Sequence, residues 1–131
     1  MIVWARNYEM RYAEGAAPDG AAEPATSSAT TLWVRDRLDR GVDFASITAL
    51  SDIFYPRVYR RRGTMSPAGT ISLTTYFHAD GHDLAAVAGD FVLARAQANP
   101  FSRGYFDQSA QLWSRGGQLL ATSHQLVYFK D

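Results

Sequence analysis

Stretches in which apolar and polar residues alternate dominate this chain and predict β-strands. The strongest signal lies in the last third, where two long alternating runs meet at a Gly-Gly pair within residues 115–118, the signature of a hairpin. Earlier runs rich in β-branched and aromatic residues predict four more strands. The predicted strands cover residues 7–12, 30–37, 69–78, 91–99 and the two arms of the hairpin within 102–131. We therefore expect a mainly antiparallel sheet.

One helix is predicted between the second and third strands. Asp43 suits an N-cap position, and Phe44, Ile47, Leu50 and Phe54 follow at helical spacing to form one apolar stripe. The order of elements is then strand, strand, helix and four strands. This order predicts an α+β domain in which a long antiparallel sheet packs against a single helix.

The composition predicts a loop and limits the possible classes of protein. Residues 13–29 are rich in Ala, Gly, Pro and Ser without periodicity, and we expect a mobile loop there. The 131 residues suffice for one domain, residues 1–131, with its own core. The absence of Cys excludes disulfide scaffolds, Cys-based zinc sites and thiol nucleophiles.

Charge and hydropathy restrict the partners. Acidic and basic residues balance at 13 each, which argues against a nucleic-acid partner. No apolar run approaches the roughly 20 residues that a membrane helix needs. We therefore expect a cytoplasmic domain with no nucleic-acid and no membrane partner.

Three polar residues have both an ordinary and a functional interpretation. Asp52 would lie on the side of the helix away from the apolar stripe, either as a solvated carboxylate or beside a ligand. Strict alternation puts Thr70 on the same strand face as Ser72, where a half-exposed Thr is common. Gln125 has apolar neighbours on its face of the last strand, and a buried amide must find partners.

Histidines and arginines give weaker signals. His78 and His82 flank an acid, but Gly81 predicts a turn there and no other ligand set is evident, so we expect no metal. His124 alternates away from Gln125. The arginines form one basic cluster, which is either a solvated surface or a clamp for the phosphates of a nucleotide-bearing ligand. The cluster contains Arg57, Arg60, Arg61 and Arg62.

Several chemistries lack their sequence signatures. The chain has no Gly-x-Ser-x-Gly nucleophile elbow, no P-loop and no Gly-x-Gly-x-x-Gly fingerprint after a strand. A catalytic function must therefore come from another arrangement of residues.

Several short segments lie along the chain, and their order and spacing are informative when they are taken together. They are Glu9-Met10-Arg11, Trp33-Val34-Arg35, Leu50-Ser51-Asp52, Thr70 with Tyr76-Phe77-His78, Ser102-Arg103-Gly104, Gly117-Gln118-Leu119-Leu120-Ala121 and Gln125. In this order and at these separations they resemble the C-terminal hot-dog half of the acyl-CoA thioesterase II (TesB-like) family. The resemblance covers most of the chain.

The resemblance implies a fold, a reaction and a set of residues. The fold is a hot-dog, a long antiparallel sheet wrapped around a central helix. The family hydrolyses acyl-CoA without a cofactor, in fatty acid metabolism, with a water held by an Asp, a Thr and a Gln. By position these are Asp52, as general base or water orienter, with Thr70 and Gln125 to position the water. Substrate binding is expected at Arg60, Arg61, Arg103 and Gly104.

The family also suggests a partner and alternative functions. Its members usually carry two fused hot-dogs, and a lone one leaves the far side of its helix and an edge strand uncovered. We therefore expect a homo-oligomer or a second hot-dog domain. The alternatives are a non-catalytic acyl or acyl-CoA-binding module and a hot-dog hydratase or dehydratase. Hydratases usually carry a His a few residues after the catalytic Asp, and Arg57 in that place disfavours this class.

Overall fold

A computed structural model describes residues 6–14, 29–38, 40–54, 68–99 and 101–130. The strands agree with those predicted to within a couple of residues. They are β1 (Tyr8–Glu14), β2 (Thr30–Asp36), β3 (Ala68–Phe77), β4 (Val92–Ala98), β5 (Tyr105–Ser114) and β6 (Leu119–Phe129). The helices are α1 (Phe44–Leu50) and α2 (Gly81–Val87). The first two residues of the predicted loop belong to β1, Ala29 is buried before β2, and 15–28 lie outside the described residues.

The strands form one sheet in the order β1-β2-β4-β5-β6-β3, and every neighbouring pair is antiparallel. The predicted Gly-Gly turn is confirmed between β5 and β6. Gly117 adopts a φ of 93°, a conformation that costs little only for glycine. The turn is closed by the Ser114 amide, which donates to the Gln118 carbonyl at 2.9 Å. The β1 and β3 strands form the two edges of the sheet.

Helix α1 packs against one face of the sheet, which we call the inner face. The helix begins where predicted, because the Asp43 carboxylate caps the Ser46 amide at 2.8 Å and the Ser46 hydroxyl caps Asp43 in return. Ile47 and Leu50 are buried, each contributing about 1.5–3 kcal/mol by leaving water. Phe44, predicted in the same stripe, is instead half-exposed, with its ring edge-on to Phe77 at 4.9 Å between centroids.

The end of α1 differs from the prediction. The apolar stripe extended to Phe54, but the helix ends at Leu50. The next amides, of Asp52 and Ile53, bond three residues back to Ala49 and Leu50, which tightens the chain out of the α-helix. Phe54 is still buried, although it is no longer part of a helix. Asp52 therefore lies in a tight turn after the helix.

A second short helix was not predicted. The residues after His78 were expected to form a turn, but Asp80 caps the amide of Asp83 at 2.8 Å and starts α2. His82 thus lies in the first turn of a helix, and Leu84 is fully buried. Neither helix within the described ranges is long and apolar enough to cross a membrane.

Candidate active site

One hydrogen-bond network joins three elements on the inner face at its β6–β3 end. Gln125, in the middle of β6, is 5% exposed. Its Nε2 donates to Asp52 Oδ1 at 3.1 Å and to Thr70 Oγ1 at 2.5 Å. Residues far apart in the sequence therefore meet through one amide group.

Thr70 reaches this network because β3 carries a bulge. In the pairing with β6, Thr70 lies opposite Val127 while Ser72 lies opposite Leu126, so Ile71 is an extra residue. The expectation that Thr70 shares a face with Ser72 was wrong, since it assumed unbroken alternation. The bulge turns the Thr70 side chain toward the face that carries Gln125.

Asp52 takes its position from the tight turn after α1. Its neighbours Ser51 and Ile53 are buried and fix the backbone on either side of it. The Asp52 carboxylate is exposed apart from its bond to Gln125. The small residues Ala45, Thr48 and Ala49 of α1 are also exposed. A carboxylate that is anchored at one oxygen and open to solvent can accept a proton from a bound water.

Gln108 extends the network and was not predicted. It lies opposite Gln125 in the β5–β6 pairing, is 4% exposed, and donates from Nε2 to Gln125 Oε1 at 2.6 Å. Its own Oε1 is the buried side-chain atom without a partner among the described residues. A signal was present in the sequence, because Gln108 alternates with the apolar residues Phe106 and Ala110.

Of the expected substrate-binding residues, the two that the structure describes, Arg103 and Gly104, are not part of this network. Arg60 and Arg61 lie outside the described residues, as do Arg57 and Arg62. Arg103 and Gly104 form a tight turn with φ of 53° and 81°, closed by paired backbone bonds between Ser102 and Tyr105. The Gly104 carbonyl accepts from the Phe129 amide at 2.8 Å, so this turn lies at the end of the sheet where β3 begins.

The histidines have other partners. His78 Nε2 lies 2.9 Å from Thr122 Oγ1, and His124 Nε2 lies 2.7 Å from Asp107 Oδ2 on the outer face of the sheet. The bond from His124, aided by Asn99, holds the pKa of Asp107 below its ordinary value. Across the part of the chain that the structure describes, no three His, Asp or Glu side chains meet as metal ligands would.

Solved structures similar to this one share its fold. A hot-dog-fold protein of unknown function from Alicyclobacillus acidocaldarius is 41% identical with a TM-score of 0.90, covering 98% of this chain and 47% of that one. The TesB protein of Mycobacterium avium subspecies paratuberculosis is 21% identical (TM-score 0.73), covering 98% and 50%. The PaaI protein of Escherichia coli, from the phenylacetic acid degradation operon, is 12% identical (TM-score 0.67), covering 98% and 85%. These matches confirm the predicted hot-dog fold.

The matches also show how much of each similar protein this chain covers and to which family it belongs. It spans about half the length of the first two of these proteins. A comparison with curated proteins found no significant match. The family of acyl-CoA thioesterase C-terminal domains matches residues 2–129, which is nearly the whole chain. The predicted resemblance is thus confirmed, and the chain belongs to the acyl-CoA thioesterase C-terminal domain family.

Proposed function

We propose that this domain hydrolyses acyl-CoA thioesters to a free acid and CoA. The observation that carries the proposal is the amide of Gln125, which bonds both to Asp52 and to Thr70. A carboxylate, a hydroxyl and an amide from three separate elements converge where the first two are open to solvent. Membership in a thioesterase family supports the same reaction.

The chemistry follows from the donors and acceptors that remain. Both hydrogens of Gln125 Nε2 are used, so the water is held by Asp52 Oδ2 and by the Thr70 hydroxyl hydrogen. The water oxygen adds to the thioester carbonyl carbon while Asp52 takes its proton. The carbon–sulfur bond then breaks, and Asp52 returns the proton to the departing sulfur. Gln125 acts by fixing the other two residues, which is a positioning role.

Substrate binding and assembly belong to the same proposal. The arginines Arg60, Arg61 and Arg103, with Gly104, contact the phosphates of CoA, for which guanidinium groups are suited.

The domain pairs with a second hot-dog, because the edge strand β3 exposes Ile71, Tyr76 and Phe77. Sedimentation should give a dimer; a well-folded monomer would contradict the pairing.

A second candidate is a non-catalytic module that binds acyl-CoA. It is favoured by the family match, which is to a C-terminal domain, since one domain of a larger protein can serve assembly or binding alone. It predicts that acyl-CoA binds without turnover and that the Asp52 carboxylate is dispensable.

The deciding experiment is free-thiol release from acyl-CoA substrates of several chain lengths. Asp52→Asn keeps an oxygen for Gln125 but removes the base, so release should fall about 10²- to 10⁴-fold with the melting temperature unchanged. Asp90→Asn is the control, because Asp90 pairs with Arg115 at the surface. Equal rates for Asp52→Asn and the wild type would exclude Asp52 as the base. Binding of acyl-CoA without release would favour the second candidate.

A further inference from the structure

Gln108 has the features of a residue that serves another side chain. It is buried on the inner face of β5, and Gln125 is the partner of its Nε2. Its Oε1 is buried without a partner among the described residues, which is unfavourable relative to a satisfied group. An apolar side chain of the same length would avoid that cost. The same substitution would leave Gln125 Oε1 without its donor, so the reason for an amide at this position lies in Gln125.

The direction of the hydrogen bonds supplies a reason. An ionised carboxylate can only accept, so the end of the Gln125 amide that faces Asp52 must be Nε2. The other end, Oε1, then points at Gln108 and needs a donor, which Gln108 Nε2 provides at 2.6 Å. If the Gln125 amide turned over while Gln108 kept its orientation, the Gln125 oxygen would face the Asp52 carboxylate and its N–H groups would face those of Gln108.

We propose that Gln108 is a positioning residue that holds the Gln125 amide in the one orientation able to bind Asp52 and Thr70. This inference rests on the proposed function for its effect on catalysis. The orientation itself can be measured without substrate. Gln108 acts through Gln125, so its removal should lower kcat and leave KM nearly unchanged.

The first test replaces the donor and keeps the volume. Gln108→Met should lower kcat for thiol release about 10- to 100-fold, since small misplacements of a reacting group have effects of this size. Gln111→Met is the matched control, because Gln111 is exposed on the opposite face of the same strand. In a Gln125→Met background, Gln108→Met should have no further effect on kcat. Additive losses in the double variant would overturn the proposal.

A second variant should give a pH dependence of kcat that would not be expected if Gln108 served packing alone. Gln108→Glu can donate to Gln125 Oε1 only when its carboxyl is protonated, and burial favours that form. Its kcat should therefore fall as pH rises through the new carboxyl's titration, a limb that the wild type and Gln111→Glu lack. A pH profile identical to that of the wild type would overturn the proposal.

A measurement without substrate separates this inference from the proposed function. In ¹H–¹⁵N spectra of the folded protein, the Gln125 side-chain hydrogens should exchange slowly with solvent. They should lose this protection in Gln108→Met and keep it in Gln111→Met. That pattern supports the positioning role even if the wild type releases no thiol, in which case only the proposed function fails. Unchanged protection in Gln108→Met overturns the positioning role even if the wild type is active.

Discussion

The inner face of the sheet has two halves with different chemistry. The apolar half lies under α1 and is filled by aliphatic side chains such as Leu32, Val34 and Leu112. The polar half, toward β3, contains the bonded amides of Gln108 and Gln125. Both halves obey the same alternation along the strands, so the pattern determines which side chains are buried but not what they do. Buried amides carry a cost in desolvation, and this cost is one reason why the reaction is proposed to take place in the polar half.

The comparison predicts that damage to the apolar half lowers stability and leaves chemistry intact. Leu112 is 1% exposed within the main core. Leu112→Ala should lower the free energy of unfolding by about 2–5 kcal/mol, through lost burial and the cavity left behind. Urea unfolding measures this effect. A loss of thiol release per folded molecule, at a temperature where the variant is folded, would break the distinction between the halves.

Damage at the centre of the polar half should lower the rate of the reaction. Gln125→Met removes both bonds that fix Asp52 and Thr70, and kcat should fall about 10²-fold. Stability should also fall by about 1–3 kcal/mol, because Gln108 Nε2 loses its partner. Steady-state kinetics and urea unfolding on the same sample test both effects. Full activity in Gln125→Met would show that the network is structural only.

The two faces of β3 sharpen the comparison with a matched pair of threonines. Thr70→Val removes the hydroxyl proposed to bind the water and should lower kcat up to about 10-fold, the worth of one hydrogen bond. Thr74 lies opposite His124 on the outer face, so Thr74→Val should leave kcat unchanged. Equal effects of the two substitutions would mean that the bulge does not separate these positions.

The smallest effect is expected for a polar contact on the outer face. His124 and Asn99 keep the pKa of Asp107 below the ordinary 3.8, so this carboxylate adds stability above that pH. The contribution is lost as pH falls through the lowered pKa of the folded protein. Asp107→Asn should therefore reduce stability by less than about 1 kcal/mol near pH 5, because the His124 side chain is largely exposed.

Measurement of unfolding from pH 5 down to pH 2 checks this sign. The difference between Asp107→Asn and the wild type should shrink as the solution becomes more acidic. A difference that grows on acidification would contradict the assigned direction, and altered thiol release at pH 7 would extend the reactive region to the outer face.

The sequence predicted those features that depend on neighbouring residues. The strands, the turn at Gly117 and the cap at Asp43 follow from local alternation, backbone freedom and hydrogen-bonding chemistry, and the structure agrees. The second helix was missed because Gly81 was interpreted as a turn, although Asp80 and Asp83 form a capping box at its start. The choice of Asp52, Thr70 and Gln125 as site residues came from the family resemblance rather than from the pattern.

The parts that could not be predicted depend on distant pairing. Nothing in the composition of β3 marks Ile71 as the extra residue, since an isoleucine suits any strand position. The role of Gln108 depends on which strand lies beside β5, and that follows from the sheet order rather than from the residue itself. The early end of α1 likewise reflects the bonds of Asp52 and Ile53, which the apolar spacing does not indicate.

The bulge in β3 also changes which residues of this strand face inward at a given spacing from Thr70. This spacing matters for a sequence motif search and for protein design. The inward positions beyond it, Leu73, Thr75 and Phe77, pair with the inward residues of β6 and stand at odd distances from Thr70. A sequence motif with even spacing from Thr70 would select solvent-facing residues throughout. A redesign of the surroundings of Thr70 must therefore shift its choice of positions by one residue at Ile71.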